Sequence, residues 1–144
     1  MGYDLHITRA KDWTESLDHP ISLEEWESHV ARDHDMSLTG FAEADIGDGE
    51  SIRYENEGLA VWTAYSGHGK EGNMAWFDFH DGRIVVKNPD EEIIGKMIAI
   101  AEALGARVQG DDGEVYSLRG FPEPEPPADR AQTARPWWKR LLGR

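Results

Sequence analysis

The chain has 144 residues, 39% of them apolar and 10% aromatic, which is enough for one domain with a buried core and argues against wholesale disorder. It carries no cysteine, so disulfides, thiolate metal sites and Cys nucleophiles are excluded, and no apolar run approaches the ~18 residues that cross a bilayer. The net charge is −13 and unevenly placed: residues 1–120 hold 25 acidic against 10 basic residues, whereas 121–144 hold 3 against 5. Such an acidic body repels nucleic acid and anionic membranes and favours a basic protein partner.

The first residues, MGYDLHITRAKDW, mix charges without an apolar centre, so no signal peptide is expected and a cytoplasmic location is. Tyr3, Leu5 and Ile7 alternate with Asp4, His6 and Thr8, the period of a strand with one buried side, and His6 is expected on the solvated side. Lys11 to Pro20 is polar and loop-like. Ser22 then opens a helix: Ser22 and Glu25 make a capping box, Ile21 and Trp26 a hydrophobic staple, and Leu23, Trp26 and Val30 an inward stripe. His29, Asp33, His34 and Asp35 near its end have some metal-ligand chemistry. A cationic histidine at a helix C-terminus is favourable without a metal, and no metal site is assigned there.

Asp48-Gly49 predicts a hairpin turn between strands near Phe41–Ile46 and Ser51–Asn56. Leu59 to Tyr65, rich in β-branched and aromatic residues, predicts another strand. The loop Ser66 to Asn73 contains Ser66-Gly67-His68-Gly69, where flanking glycines clear space around an imidazole that could act as a base, ligand or partner contact. Met74–His80 and Arg83–Lys87 read as a hairpin turning at Asp81-Gly82, with Trp76 and Asp78 on one side and Phe77 and Phe79 on the other. Aromatic residues on both sides of this strand predict one packed face and one aromatic binding surface beside the His68 loop.

The clearest stretch is Arg83 to Tyr116, a strand, a helix and a strand. Asn88 is the expected N-cap, Pro89 the first helical residue, and Asp90, Glu91 and Glu92 an acidic first turn. Ile93, Ile94, Met97, Ile98, Ala101 and Leu104 give an apolar face, and Gly105 suits a left-handed C-cap. Strands at Arg107–Gln109 and Val115–Leu118 flank the turn Gly110-Asp111-Asp112-Gly113. Asp111, Asp112 and Glu114 cluster there, but turn chemistry accounts for them without a metal, and they lack the calcium-loop ligand series. Prolines from Pro122 onward predict a stiff linker, followed by a basic tail in which Trp137, Trp138, Arg140 and Leu141 could dock on an acidic surface or, weakly, on a membrane.

The expectation is an α+β domain over residues 1–120, a single mainly antiparallel twisted sheet of five to seven strands with two helices packed on one face, and a linker and tail over 121–144. No nucleophile elbow or phosphate loop is present, and no catalytic residue, metal or cofactor is assigned.

The combination WTAYSGHGKEGNMAWFDF, DGRIVVKNPDEEIIGKM and ARVQGDDGEVY, after an opening MGYDLHITR and a SLEEW helix, resembles a family of small uncharacterised bacterial proteins over about residues 1–118. In size, acidity and α+β build these are similar to the immunity proteins that neutralise bacterial toxins, and the resemblance supplies no catalytic residues to carry over. Three readings follow. The first is an acidic binding module of the immunity type, with contacts at Trp62, His68, Trp76, Asp111, Asp112 and Glu114. The second is a small hydrolase or metal-dependent enzyme using His68 with Asp78 or Asp111. The third is an adaptor docking through its tail.

Overall fold

In the computed structural model, residues 3–70 and 73–117 are described. The proposed linker and tail, and Leu118, lie outside the described residues. Nine strands and two helices follow one another as β1 (Asp4–Thr8), α1 (Leu23–Arg32), β2 (Met36–Leu38), β3 (Phe41–Gly47), β4 (Glu50–Glu55), β5 (Ala60–Trp62), β6 (Trp76–His80), β7 (Arg83–Lys87), α2 (Glu91–Leu104), β8 (Arg107–Gly110) and β9 (Val115–Tyr116). The fold is α+β, as expected, with every strand pairing antiparallel.

Seven strands form one sheet in the order β2-β5-β6-β7-β1-β8-β9, while β3 and β4 stand apart as a two-stranded arm. The two strands that flank α2 are not neighbours: β1 lies between β7 and β8, pairing Leu5 with Val86 on one side and with Gly110 on the other. This is a split β-α-β unit, in which α2 spans the inserted strand. Leu5, Ile7, Ile84, Val86, Val108 and Phe77 all point to the side where the helices lie. They form one core with Trp26 and Val30 of α1 and Ile93, Met97 and Leu104 of α2. Ile100, seven residues beyond Ile93 on the same stripe, is buried too.

The capping box at Ser22 is present: its hydroxyl accepts from the Glu25 amide at 3.0 Å and Glu25 accepts from the Ser22 amide at 3.0 Å. Arg9 grips the same carboxylate with Nη1 at 2.9 Å and Nη2 at 2.7 Å, and this holds its pKa down at about 2. The N-cap of α2 is Asp90, not Asn88: Asp90 accepts from the Ile93 amide at 2.9 Å. Asn88 takes a left-handed φ of 51° and is held at the end of the β1·β7 pairing, its backbone amide donating to Tyr3 O at 2.7 Å and its side-chain Oδ1 accepting from the Tyr3 amide at 2.8 Å. Gly105 closes the helix at φ 66°, as its position predicts.

Two turns also match expectation. Asp48-Gly49 and Asp81-Gly82 both have positive φ at both residues, the geometry that a two-residue hairpin requires. The Leu59–Tyr65 strand is shorter than its composition suggests, covering only Ala60–Trp62 before the chain turns. Strand β2 has no clear signature in the sequence; it pairs with β5 through Met36 and Trp62.

Candidate functional site

The side of the sheet away from the helices is only partly covered. Across it run Gln109, His6, Val85 and Asp78, aligned by the pairings His6–Gln109, His6–Val85 and Asp78–Val85. Two segments rise from this surface. One is the stretch after β1, where Asp12 caps a single 3-10 turn at Trp13–Glu15. The other is the β3–β4 arm, tethered to the sheet by Tyr54 Oη donating to Asp78 at 2.7 Å and by Asn56 Nδ2 donating to the same carboxylate at 2.6 Å. That tether pushes the Tyr54 pKa up to about 12, because its proton is held by the Asp78 carboxylate. Between the two segments lies a cavity of about 570 Å³.

His6 forms the floor of this cavity at one end and is 3% exposed, not the solvated strand histidine that alternation suggested. The cause is Trp13, which the expected polar loop folds back across the sheet. Its ring stacks on the imidazole at 4.1 Å with planes 3° apart. Trp13 is fixed in turn: its amide donates to Gln109 Oε1 at 2.8 Å and its indole Nε1 donates to Asp111 O at 3.1 Å. Thr8 is sealed in alongside, paired with Ser16 at 2.9 Å.

Both imidazole nitrogens are engaged. Arg83 Nε donates to Nδ1 at 3.2 Å, and Nε2 meets Asp111 Oδ1 at 2.9 Å. A guanidinium can only donate, so Nδ1 is unprotonated and the ring proton sits on Nε2, directed at the carboxylate. Burial is the largest influence on His6 and lowers its pKa, with Arg83 adding to the effect; the Asp111 bond opposes them without prevailing. The imidazole is therefore neutral near pH 7, and Arg83, His6 and Asp111 form a continuous hydrogen-bonded chain. Arg83 also lies over the Trp13 ring, 5.1 Å from its centre. The rest of the wall is aromatic and aliphatic, with Trp76, Tyr54, Met74 and Leu59, while Lys87, Asp4 and His80 stand at its edges.

The arm adds a second surface. Ala42 pairs with Tyr54 and Ala44 with Ile52, so these four residues share one side of the hairpin. That side, with Met74 and Trp76, lines a shallower groove of about 300 Å³ adjoining the cavity. Ile52 and Tyr54 are 58% and 49% exposed, an apolar surface with nothing packed over it among the described residues. The opposite side of the arm is charged, Arg53 reaching Glu43 at 3.0 Å and Glu55 at 2.6 Å and lying over Phe41 at 4.0 Å.

The residues expected to form a contact site divide between the two faces of the sheet. Trp76 and Asp111 line the cavity. Trp62 lies on the helix side, against the core, with Tyr65 and Lys96 over it. His68 does not line the cavity that Asp78 and Asp111 share. Its loop is clamped to the first turn of α2, where Ser66 Oγ donates to Glu92 at 2.6 Å and Tyr65 Oη donates to Asp90 at 2.6 Å. The acidic turn also splits. Asp111 turns toward His6, while Glu114 folds against Gly110 and Tyr116 on the helix side, where burial raises its pKa. Asp112 stays in the turn between β8 and β9.

At the end of α1, Asp33 accepts Lys96 Nζ at 2.6 Å and the Asp35 amide at 2.9 Å. His29 stacks on Trp26 at 6.0 Å, and burial lowers its pKa. The cationic histidine expected at this helix end is thus disfavoured, because the ring lies against the core rather than in water. Among the described residues, no group of three or more His, Asp or Glu is arranged to hold a metal ion.

His6, Trp13, Arg83 and Tyr54 are the site residues that the sequence does not single out. Alternation does place His6 and Arg83 on polar strand faces, but only strand order puts them side by side. The chain matches no protein-family model, no curated protein and no solved structure.

Proposed function

We propose that this chain is a protein-binding module that holds a positively charged partner on its open sheet face and arm, in the manner of an immunity protein that blocks a bacterial toxin. The observation that carries this reading is the continuity of one surface: the exposed Ile52 and Tyr54 run through Met74 and Trp76 into the cavity floored by His6. A two-stranded arm is marginally stable by itself, and an uncovered apolar side on such an arm suits association. The arm carries five carboxylates, Glu43, Asp45, Asp48, Glu50 and Glu55, against the single Arg53. An apolar centre with an acidic rim suits a basic partner, drawn in by steering and held by burial.

The test is capture from the native host with tagged wild-type chain and Ile52→Asp, at about 0.05 and 0.5 M salt. Ile52 is exposed, so the substitution leaves the core untouched. A single basic protein retained by the wild type, lost from the variant and weakened by salt is the expected result. Identical retention by both chains, or retention of nothing basic, overturns the reading.

A second reading, a small-ligand or enzymatic pocket, draws on the cavity's size, since ligand sites span about 300–1,000 Å³. Asp78 and Asp111 both line it, but the base would have to be His80, because His6 has no free nitrogen and His68 is elsewhere. Turnover or saturable binding of a small molecule, abolished by His80→Ala, is what this alternative requires.

A further inference from the structure

We infer that the chain's own C-terminal segment, Arg130 to Arg144, occupies the open face and competes there with the partner. This rests on the reading of that face as a partner site. From Arg130 onward the sequence has five cations, Arg130, Arg135, Lys139, Arg140 and Arg144, and no carboxylate. Trp137, Trp138, Leu141 and Leu142 are set among them. The open face has the complementary character: an apolar groove over Trp76 and Met74, beside an arm on which Asp45, Asp48 and Glu50 make no ion pair among the described residues. The helix side offers no equivalent, because its sheet surface is already filled by α1 and α2.

The reach is ample. The described chain ends at Ser117, just past β9, and the groove begins over β6, four strands away in the order β9-β8-β1-β7-β6. Four strand spacings amount to roughly 19 Å. Trp137 lies twenty positions beyond Ser117. A chain of that length spans up to ~66 Å when extended, so the tryptophans can arrive at the groove even by an indirect path around the sheet edge. Tethering makes the contact intramolecular, so a weak contact suffices to fill the site wherever the linker spans the distance.

The experiment uses the full chain, wild type and Trp137→Ser/Trp138→Ser, uniformly labelled with ¹⁵N and observed by NMR. In the wild type, the backbone of Trp137 to Leu142 should relax like the folded body, and the double substitution should shift the indole signals of Trp13 and Trp76. Ile52→Asp should release the same segment. Tail amides that relax as free chain in the wild type overturn the proposal, as do double-variant shifts confined to the helix side. Effects that vanish on hundredfold dilution would assign the site to a second copy's tail and overturn docking within one chain. Capture of the basic partner should strengthen about tenfold in the double variant, the change expected when a tethered occupant leaves the site open about a tenth of the time. Unchanged capture with a freely relaxing tail removes this inference and leaves the partner reading intact. A docked tail together with capture that ignores Ile52→Asp removes the partner reading instead.

Discussion

Arg83 donates its Nε–H to Nδ1 of His6 across 3.2 Å, a bond that only an uncharged imidazole can accept. The consequence reaches beyond the pair. With Nε2–H directed at Asp111, the ring is fixed in one tautomer and one orientation, and it becomes a platform on which Trp13 lies flat. One end of the cavity is therefore desolvated, while the arm at the other end is held by Tyr54 and Asn56 on Asp78, by Asn56 on the Phe79 carbonyl and by the Thr39 and Gly40 amides on the Leu59 carbonyl.

Replacing His6 by Ala should cost about 2–3 kcal/mol, since it strands a partly buried donor on Arg83 and removes the surface under Trp13. Urea unfolding measures this. A cost below about 0.5 kcal/mol, the level of ordinary surface substitutions, would mean that the hydrogen-bonded chain contributes nothing to the fold.

The pH dependence has a definite sign. Burial lowers the folded-state pKa of His6 below its ordinary 6.5, so the unfolded chain binds a proton more readily than the folded one. Stability from this group is complete above pH 6.5 and declines as pH falls below it, levelling off under the folded pKa. His29 acts in the same direction, also through burial. Glu114 acts in the opposite one, its pKa being raised above 4.5, so it favours the folded state as pH falls. The informative quantity is thus the difference between wild type and His6→Gln. Between pH 7.5 and 5.5 the wild type should lose more stability than the variant, and parallel curves would contradict the assignment.

Gly58→Ala should destabilise the fold by about 1–3 kcal/mol through overpacking. An added Cβ would lie 2.5 Å from Phe79 Cβ, where nothing can yield cheaply, and the Gly58 carbonyl must stay in place to accept Trp26 Nε1 at 2.8 Å. Thermal unfolding with a Trp26-sensitive fluorescence readout would show a lowered midpoint. An unchanged midpoint would show that the chain segment at Gly58 can move away from β6.

Two capping substitutions test the helix starts. Ser22→Ala and Asp90→Ala should each cost about 1 kcal/mol, because each leaves a first-turn amide without its side-chain acceptor. Hydrogen exchange at Glu25 and Ile93, respectively, should speed up. For Glu25→Gln the loss should be present at neutral pH and shrink as pH falls below the ordinary 4.5 toward about 2, since Arg9 holds only the ionised carboxylate.

Local chemistry determined much of this protein from sequence alone. Ser22 with Glu25, Gly105, and the Asp-Gly pairs at 48–49 and 81–82 each act within a few residues, so their spacing was enough to place α1, the end of α2 and two hairpins. Alternation in β6 likewise separated Phe77, in the core, from Trp76, in the cavity. Asn88 misled because it and Asp90, two positions on, are both capping residue types, and only the distant Tyr3 decided between them. Tertiary structure alone brought His6, Arg83 and Asp111 together, through strand order that joins residues 77 and 105 positions apart. It also turned the polar segment around Trp13 into a cover for an imidazole that alternation left in water. Burial, and hence charge state, depends on what packs on a strand from elsewhere in the chain, and no periodicity along that strand encodes it.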